Sequence, residues 1–346
     1  MKAAVLEELN KMVVKEVPTP KADANSILVK VKACAVCGSD IRIFHFGNSR
    51  VNLPQIIGHE IAGEVVETGC NVTKFKVGDR VAVGADIPCG ECPFCEAGIG
   101  NNCQINLAIG YQYAGGFAEY ILLNRIVVTY GPVHNIPDGV SYDEAALAEP
   151  LGCVLNGLEL SQIKLGDNVV VMGTGPIGCM IVEVARKMGA SKIIVADISR
   201  PRLDMAKNFG GADVYICSAE ENVVERVLEE TDRLGADVII SANPSPEAQI
   251  DALNMAKNRA RINFFGGLPK TKTPVLIDTN IIHYKELFVH GSHGSIPSQH
   301  QKAVGLISSG SIKIGKYISH KFKLDDIMKA FAVSEGREGM RVIVNP

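Results

Sequence analysis

Residues 168–178 of this 346-residue chain read NVVVMGTGPIG. The segment NVVVM, with four apolar residues after Asn168, is typical of a buried strand, and GTGPIG is a G-x-G-x-x-G turn that opens a helix. The next apolar run, KIIVAD, ends at Asp197, where a carboxylate would accept hydrogen bonds from a ribose. The glycines would let backbone N–H groups and a helix N-terminus approach a pyrophosphate. The stretch predicts a dinucleotide-binding turn that prefers NAD over NADP, with candidate cofactor residues Gly173, Gly175, Pro176, Ile177, Gly178 and Asp197.

Two features leave this interpretation open to alternatives. A glycine turn in a generic doubly wound sheet, with Asp197 on the surface, would show the same letters. Arg202 follows soon after Asp197 and could accommodate a 2′-phosphate, which weakens the preference for NAD.

The segments around this turn divide the chain into regions with different patterns of predicted secondary structure. Apolar strands alternate with amphipathic helices after residue 168, which favours an α/β domain with a parallel sheet. The first 140 residues contain mainly strands and turns, namely SILVKVKACAV, IAGEVVETG, RVAVGA and FAEYILL. The tail after Gly294 is too short for a domain of its own. We therefore expect a β-rich domain at residues 1–150 and 295–346, with a cofactor domain at residues 151–294 inserted into it.

Composition excludes several classes of partner. The 35 Lys and Arg residues against 38 Asp and Glu residues leave a formal charge of −3, which argues against a nucleic-acid binder driven by positive charge. No apolar run approaches the roughly 18 residues of a membrane span, and the start of the chain has no signal-peptide pattern. We expect a soluble, cytoplasmic protein with no membrane partner.

Four of the ten cysteines fall within the segment PCGECPFCEAGIGNNC, namely Cys89, Cys92, Cys95 and Cys103. In a reducing compartment such crowding favours a metal site over a disulfide framework. Four thiolates complete the tetrahedral shell of zinc, so the site would be structural. An iron–sulfur cluster uses the same ligands, and a zinc ribbon that binds nucleic acid is disfavoured because the segment carries no Lys or Arg.

A second set of candidate ligands is dispersed along the sequence: Cys37 in CGSD, His59 and Glu60 in GHE, and Glu149 in AEP. Each residue alone is explained by ordinary packing or surface exposure. Together with a dinucleotide turn and a closed cysteine site, they indicate a zinc ion with an open coordination position.

The chain resembles the zinc-dependent medium-chain alcohol dehydrogenases, specifically their sorbitol and threonine dehydrogenase branch. The motifs CGSD, GHEIAGEV, GDRVAV, the four-cysteine segment, GGFAEY, AEPLGC and GTGPIG occur in the family's order. The resemblance implies a GroES-like catalytic domain and a Rossmann cofactor domain, with the catalytic zinc in a cleft between them. It also implies two zinc ions per subunit, NAD, and a homotetramer or homodimer.

The resemblance assigns roles to single residues. Cys37 and His59 would be zinc ligands, Glu60 a direct or exchanging ligand, and Glu149 a ligand that binds directly or through water, where other members have a cysteine. Cys153 could substitute for Glu149, although helix packing also explains it, and Asp40 would orient His59.

Further roles concern the proton and the cofactor. Ser39 matches the hydroxyl that takes the alcohol proton, and Arg42 stands where a relay histidine occurs in other members. His45 would either replace that histidine or line the pocket, with Tyr111 and Phe117 as pocket walls. The remaining residues matched to cofactor contacts are Arg202, Gly266, Leu268, Ser292, His293 and Arg341.

These assignments predict an NAD-dependent enzyme that oxidises a secondary alcohol of a polyol or a sugar-derived substrate. Threonine or a simple secondary alcohol is the nearest alternative. Arg42 and Arg50 flank the loop after Cys37, so a polyol phosphate or sugar acid is a further candidate, although solvated surface arginines explain them as well. A non-catalytic scaffold is disfavoured because it has no use for an open metal position.

Overall fold

The computed structural model describes residues 1–346, which divide into a first unit, residues 1–153 with 294–346, and a second unit, residues 154–293. No helix has the length and apolar character that crossing a membrane requires. The strands are β1 Lys2–Glu8, β2 Lys11–Glu16, β3 Ile27–Ala35, β4 Gln55–Ile56, β5 Glu60–Thr68, β6 Arg80–Val83, β7 Asp86–Ile87, β8 Leu107–Ala108, β9 Tyr120–Leu123, β10 Val133–Asn135, β11 Asn168–Met172, β12 Lys192–Asp197, β13 Val214–Cys217, β14 Ala236–Ser241, β15 Ala256–Phe264, β16 Phe288–Gly291, β17 Ile318–Lys323 and β18 Arg341–Asn345. The helices are α1 Gly38–Phe46, α2 Pro93–Glu96, α3 Arg125–Tyr130, α4 Tyr142–Ala146, α5 Ala148–Ser161, α6 Pro176–Lys187, α7 Arg200–Lys207, α8 Val223–Glu230, α9 Pro246–Asn254, α10 Thr279–Tyr284, α11 Pro297–Ser308 and α12 Ile327–Gly336.

The first unit is built around the long apolar strand β3. A seven-stranded sheet runs in the order β10-β6-β5-β3-β18-β17, with β9 also paired to β3. Strands β3 and β5 are antiparallel, with Ala35 opposite Glu60. In such a pair the end of one strand faces the start of the other, so the turn after β3 and the turn before β5 meet at one end of the sheet. Cys37 and His59, which lie in these two turns, are brought together in this way.

The second unit contains six parallel strands in the order β13-β12-β11-β14-β15-β16. Strand β11 lies in the middle, and its four residues Val169–Met172 are buried. The chain turns outward from β11 at a point where the strand order reverses, which is where ligands bind in open α/β sheets. The G-x-G-x-x-G turn occupies this point, between β11 and α6.

Several elements confirm local signals in the sequence. Ser141 and Glu144 form the predicted capping box of α4, because the Ser141 hydroxyl accepts the Glu144 N–H and the Glu144 carboxylate accepts the Ser141 N–H. Other elements carry no comparable signal. The hairpin β1–β2 has an unbroken apolar run instead of alternation, and the β-branched segment RIVVTY forms α3, since the Asn124 side chain caps it.

Candidate active site and cofactor site

Cys37 occupies the junction between β3 and α1, where it is the N-cap residue of the helix. Its backbone N–H donates to the Asp40 carboxylate at 2.9 Å. Asp40 is fully buried, and it also accepts the Gly58 N–H at 3.2 Å. One carboxylate therefore ties the turn that carries Cys37 to the turn that precedes His59.

Three potential ligand atoms converge at this place. One atom each from Cys37, His59 and Glu60 lies within 4.8 Å of the others, and both His59 and Glu60 are buried. The Nδ1 atom of His59 lies 3.3 Å from Asp40, which leaves Nε2 facing the Ser39 hydroxyl at 3.4 Å. Burial opposes a charged imidazole, but Asp40 and Cys37 together outweigh it and hold the pKa of His59 well above its usual range.

Glu60 is a fully buried carboxylate with an arginine beside it. Both carboxylate oxygens are buried without a hydrogen bond, and burial raises the pKa of this carboxyl. Its Oε1 forms an ion pair with Nη1 of the buried Arg341 guanidinium, 3.1 Å away. Arg341 supplies one positive charge, but a buried carboxylate whose oxygens lack hydrogen bonds is still costly, and a metal cation shared with the thiol and the imidazole would offset that cost. Sulfur, nitrogen and oxygen donors of these types fit a zinc ion.

Glu149 lies at the start of α5 and is buried, but it is not part of the group within 4.8 Å. Burial raises the pKa of its carboxyl to about 8, while His59 acts in the opposite direction, which places the two residues in one electrostatic environment. The Cys153 thiol donates to Glu149 at 3.6 Å. The structure thus places Glu149 beside the cluster and Cys153 behind Glu149.

Of the two residues predicted to handle the proton, Ser39 lies at the cluster and His45 does not. The Ser39 hydroxyl lies 3.4 Å from His59 Nε2, and the Tyr111 ring centroid is 5.9 Å from that of His59. His45 lies outside the cluster, because its Nδ1 is 2.5 Å from the Asn10 amide oxygen and its Nε2 is 2.9 Å from the Glu335 carboxylate. Both ring nitrogens of His45 thus lie beside groups that have no part in the cluster.

The four-cysteine segment forms a compact lobe that includes α2. The sulfur of Cys92 lies 3.5 Å from that of Cys95 and 3.9 Å from that of Cys103, and the sulfurs of Cys89 and Cys95 are 3.9 Å apart. A hydrogen bond from the Gln104 backbone lowers the pKa of the Cys92 thiol to about 6. Four sulfurs that converge without another donor type, with N–H groups stabilising thiolate, fit a closed tetrahedral zinc site.

The glycine turn of the second unit is sterically demanding. Gly173 has a φ of +107°, and a Cβ on Gly178 would lie 1.8 Å from the Gly173 carbonyl oxygen, so neither position accepts a side chain. Asp197 accepts the Thr174 N–H at 2.8 Å and the Thr174 hydroxyl at 2.9 Å. The Arg202 guanidinium lies beside Gly175. One of its terminal nitrogens is 3.4 Å from the position that a Cβ on Gly175 would occupy. The predicted cofactor residues Pro176 and Ile177 form the first turn of α6.

The other residues matched to cofactor contacts have varied surroundings. Gly266 packs on the backbone of Asn243, and the Ser292 hydroxyl donates to Asn263 at 3.1 Å. Leu268 is half-buried and His293 is exposed. All four lie in the second unit, whereas Arg341 lies in the first unit beside Glu60.

Two contacts were not found from the sequence. The proximity of Arg341 to Glu60 depends on strand β18 pairing beside β3, where Ile343 lies opposite Ala35. The Arg50 guanidinium lies 4.9 Å from the centroid of the Tyr111 ring. The only sequence signal for the second contact is the position of Arg50 soon after Cys37.

Comparisons with known proteins agree with this architecture. Profiles of two families match the chain, the alcohol dehydrogenase GroES-like domain at residues 23–138 and the zinc-binding dehydrogenase at residues 176–309. An L-threonine 3-dehydrogenase of Bacillus licheniformis is 36% identical over 95% of this chain and 94% of its own length. A D-arabitol-phosphate dehydrogenase of Enterococcus avium is 33% identical, with coverage of 93% and 91%, and a sorbitol dehydrogenase of Halalkalibacterium halodurans is 32% identical, with coverage of 96% and 95%.

A solved structure extends this agreement to three dimensions. A zinc-binding dehydrogenase of Sinorhizobium meliloti 1021, bound to NADP, superposes with a TM-score of 0.92 at 33% identity, covering 100% of this chain and 99% of that chain. The chain belongs to the zinc-dependent medium-chain alcohol dehydrogenase superfamily, and the predicted GroES-like and Rossmann folds are confirmed. It is an oxidoreductase of the alcohol and polyol dehydrogenase class, with zinc and a nicotinamide dinucleotide as its cofactors.

Proposed function

We propose that this enzyme transfers a hydride between NAD and a secondary alcohol of a polyol or sugar-derived substrate. The observation that carries the proposal is the buried cluster of Cys37, His59 and Glu60 with Glu149 beside it. A carboxylate at position 149, where other members of the family have a cysteine, is the feature of the polyol branch.

We assign the catalytic zinc to Cys37, His59 and Glu60, with Glu149 as a fourth ligand that binds directly or through water. Zinc in such a site supplies a Lewis acid that lowers the pKa of a substrate hydroxyl. Ser39 takes the hydroxyl proton in this proposal, a role supported by the position of its hydroxyl at the cluster, 3.4 Å from His59 Nε2. Asp40 holds the His59 ring in place.

The second metal site, at Cys89, Cys92, Cys95 and Cys103, is structural in this proposal. Four thiolates leave zinc no position for a substrate, so the lobe would contribute stability and no chemistry.

Cofactor choice follows from the second unit. Asp197 would accept hydrogen bonds from the adenosine ribose of NAD and repel a 2′-phosphate. Arg202, whose guanidinium lies beside Gly175, acts in the opposite direction, and the similar enzyme from Sinorhizobium meliloti is bound to NADP. We propose NAD because the Asp197 carboxylate already lies at the glycine turn.

A substrate and cofactor panel tests the proposal. The purified enzyme would be assayed with pentitols, hexitols, threonine and simple secondary alcohols, each with NAD and with NADP. Reduction of NAD by polyols, with at least about tenfold lower kcat/KM for threonine, is expected. Activity on threonine with none on polyols would transfer the assignment to a threonine dehydrogenase, as the relative from Bacillus licheniformis is named.

We also propose that the enzyme is a homotetramer or homodimer. Strand β16 is the edge of the parallel sheet, and Phe288 on it is 55% exposed. An apolar side chain on an open strand edge favours pairing with a second copy. Light scattering after size-exclusion chromatography would give the mass, and a monomer at micromolar concentration would contradict the proposal. The cytoplasmic location stays a prediction from the sequence.

A further inference from the structure

Arg50 differs from the other arginines near the candidate active site in its surroundings. Its Nη2 donates to the Asn106 carbonyl at 2.5 Å, and its Nε is buried without a hydrogen-bond partner. No carboxylate lies within ion-pair distance of it. Arg42, the second arginine of the same segment, is exposed. A permanently charged and partly buried guanidinium without an anionic partner is unusual in proteins.

The position of Arg50 connects it to the reacting end of the site. Its guanidinium carbon lies 4.9 Å from the centroid of the Tyr111 ring. Tyr111 in turn contacts His59, with ring centroids 5.9 Å apart, and the Ser39 hydroxyl lies 3.4 Å from His59 Nε2. These two separations place the guanidinium at most 10.8 Å from the His59 ring. An extended pentitol or hexitol with a terminal anionic group can span that distance.

We propose that Arg50 is a substrate-binding residue that recognises an anionic group, a phosphate or a carboxylate, at the end of the polyol away from the oxidised carbon. The inference rests on the proposed polyol function and narrows its substrate class. The contact with the Tyr111 ring and the bond to Asn106 hold the guanidinium in position, and its remaining N–H donors can form paired hydrogen bonds with an oxyanion.

A purely structural role for Arg50 is the main alternative. The bond to Asn106 joins the segment after α1 to the segment before β8, and this contact alone could account for the residue. The two roles differ in what a charge change does. A structural clamp affects neutral and anionic substrates equally, whereas a binding residue affects only the anionic ones.

The experiment compares Arg50→Gln, Arg50→Lys and the wild type on three sets of substrates: polyols, their terminal monophosphates and the corresponding aldonic acids. The wild type is expected to favour an anionic set by at least about tenfold in kcat/KM, as is typical of a hydrogen bond between charged groups. Arg50→Gln should remove that preference through KM and leave the neutral polyols within about threefold. Arg50→Lys should keep part of it. The phosphate and carboxylate sets identify which anion is recognised.

Arg125→Gln is the matched control, because Arg125 is an exposed arginine of the same unit that is remote in sequence from the site and its loss changes the net charge equally. It should behave as wild type. Equal losses on neutral and anionic substrates in Arg50→Gln, or an unchanged preference, would overturn the inference while the polyol function stands.

A binding measurement separates this inference from the proposed function. Calorimetric titration with a polyol monophosphate in the absence of NAD does not require turnover. Weaker binding by about tenfold or more in Arg50→Gln, with Arg125→Gln unchanged, supports the anion site even if no polyol is oxidised. Equal affinity of all variants would refute the anion site, whatever the enzyme oxidises.

Discussion

The two cysteine-containing clusters of the first unit differ in how their donor atoms are assembled. The lobe takes Cys89, Cys92, Cys95 and Cys103 from one short segment, and its donors are all sulfur. The other cluster takes Cys37 from the end of one strand and His59 and Glu60 from the start of another, and it combines three donor types. Four cysteine ligands from one segment fill the coordination shell of a metal. Ligands of different types from separate strands can leave one coordination position open for substrate.

The two clusters also differ in the type of group that surrounds their donor atoms. The sulfurs of the lobe accept backbone N–H groups, such as those of Cys89 and Glu91 at 3.4 Å. The dispersed cluster is held by charged side chains, with Asp40 beside His59 and Arg341 beside Glu60. We therefore expect changes in the lobe to affect stability and changes in the dispersed cluster to affect activity, and four substitutions test that division.

Cys37→Ser should have the largest effect on activity. Serine is a good N-cap residue, so α1 should persist, but the sulfur donor is lost. A Lewis acid is worth several kcal/mol to the transition state, so kcat/KM should fall by about 10³-fold or more. Zinc analysis should give about one ion per chain instead of about two, with Tm within about 3 °C of wild type. Full activity with one zinc per chain would show that the dispersed cluster is not the catalytic site.

Cys92→Ser should have the opposite effect to Cys37→Ser, lowering stability while leaving activity nearly unchanged. One thiolate fewer weakens the closed site, and since metal binding there contributes to folding, Tm should fall by about 5–10 °C. The kcat of the folded enzyme should stay within about threefold of wild type. Thermal unfolding followed by circular dichroism, with zinc analysis of the same sample, makes the measurement. If kcat collapsed while Tm held, the roles of the two clusters would have to be exchanged.

The same contrast explains how much the sequence predicts. The spacing of the lobe cysteines is visible in sixteen residues, and the glycine turn with Asp197 is equally local. The proximity of Cys37, His59 and Glu60 has no local signal of its own, because the pairing of β3 with β5 brings them together. The sequence indicates it only through the motifs of the family. The neighbourhood of Arg341 depends on β18, which pairs with β3 from the far end of the chain. Long-range pairing of this kind has no local signal.

Side-chain placement is less predictable than backbone pairing. His45 lies only eight residues after Cys37, yet Asn10 and Glu335 hold its ring away from the cluster. Those two partners come from the N-terminal hairpin and from α12, two elements whose position beside α1 the sequence does not reveal. The position of Glu149 outside the 4.8 Å group depends in the same way on the packing of a buried carboxylate.

Asp40→Asn should have an intermediate effect. Asp40 accepts the backbone N–H groups of Cys37 and Gly58 and contacts His59, and an amide cannot accept through both of its heteroatoms. Carboxylates that orient a metal-binding histidine change metal affinity by about 10- to 100-fold. Competition with a chromogenic chelator should show that loss at one of two zinc sites.

Asp23→Asn provides the control for this measurement. Asp23 also accepts a backbone N–H, from Asn25 at 2.8 Å, but it is exposed and takes no part in either cluster. Its zinc affinities should equal those of the wild type. Equal affinities in Asp40→Asn as well would mean that the position of His59 does not depend on the Asp40 carboxylate.

Cys153→Ala should have the smallest effect, and it bears directly on the difference between the clusters. The Cys153 thiol contacts Glu149 at 3.6 Å, so its loss removes one weak hydrogen bond worth about 1 kcal/mol or less. Zinc content should not change, and kcat/KM should stay within about threefold of wild type. Cys153→Ser should be closer still to wild type, because its hydroxyl can also donate a hydrogen bond to Glu149. Loss of one zinc per chain in Cys153→Ala would show instead that this thiolate is a ligand, which would make the dispersed cluster richer in sulfur and closer in chemistry to the lobe.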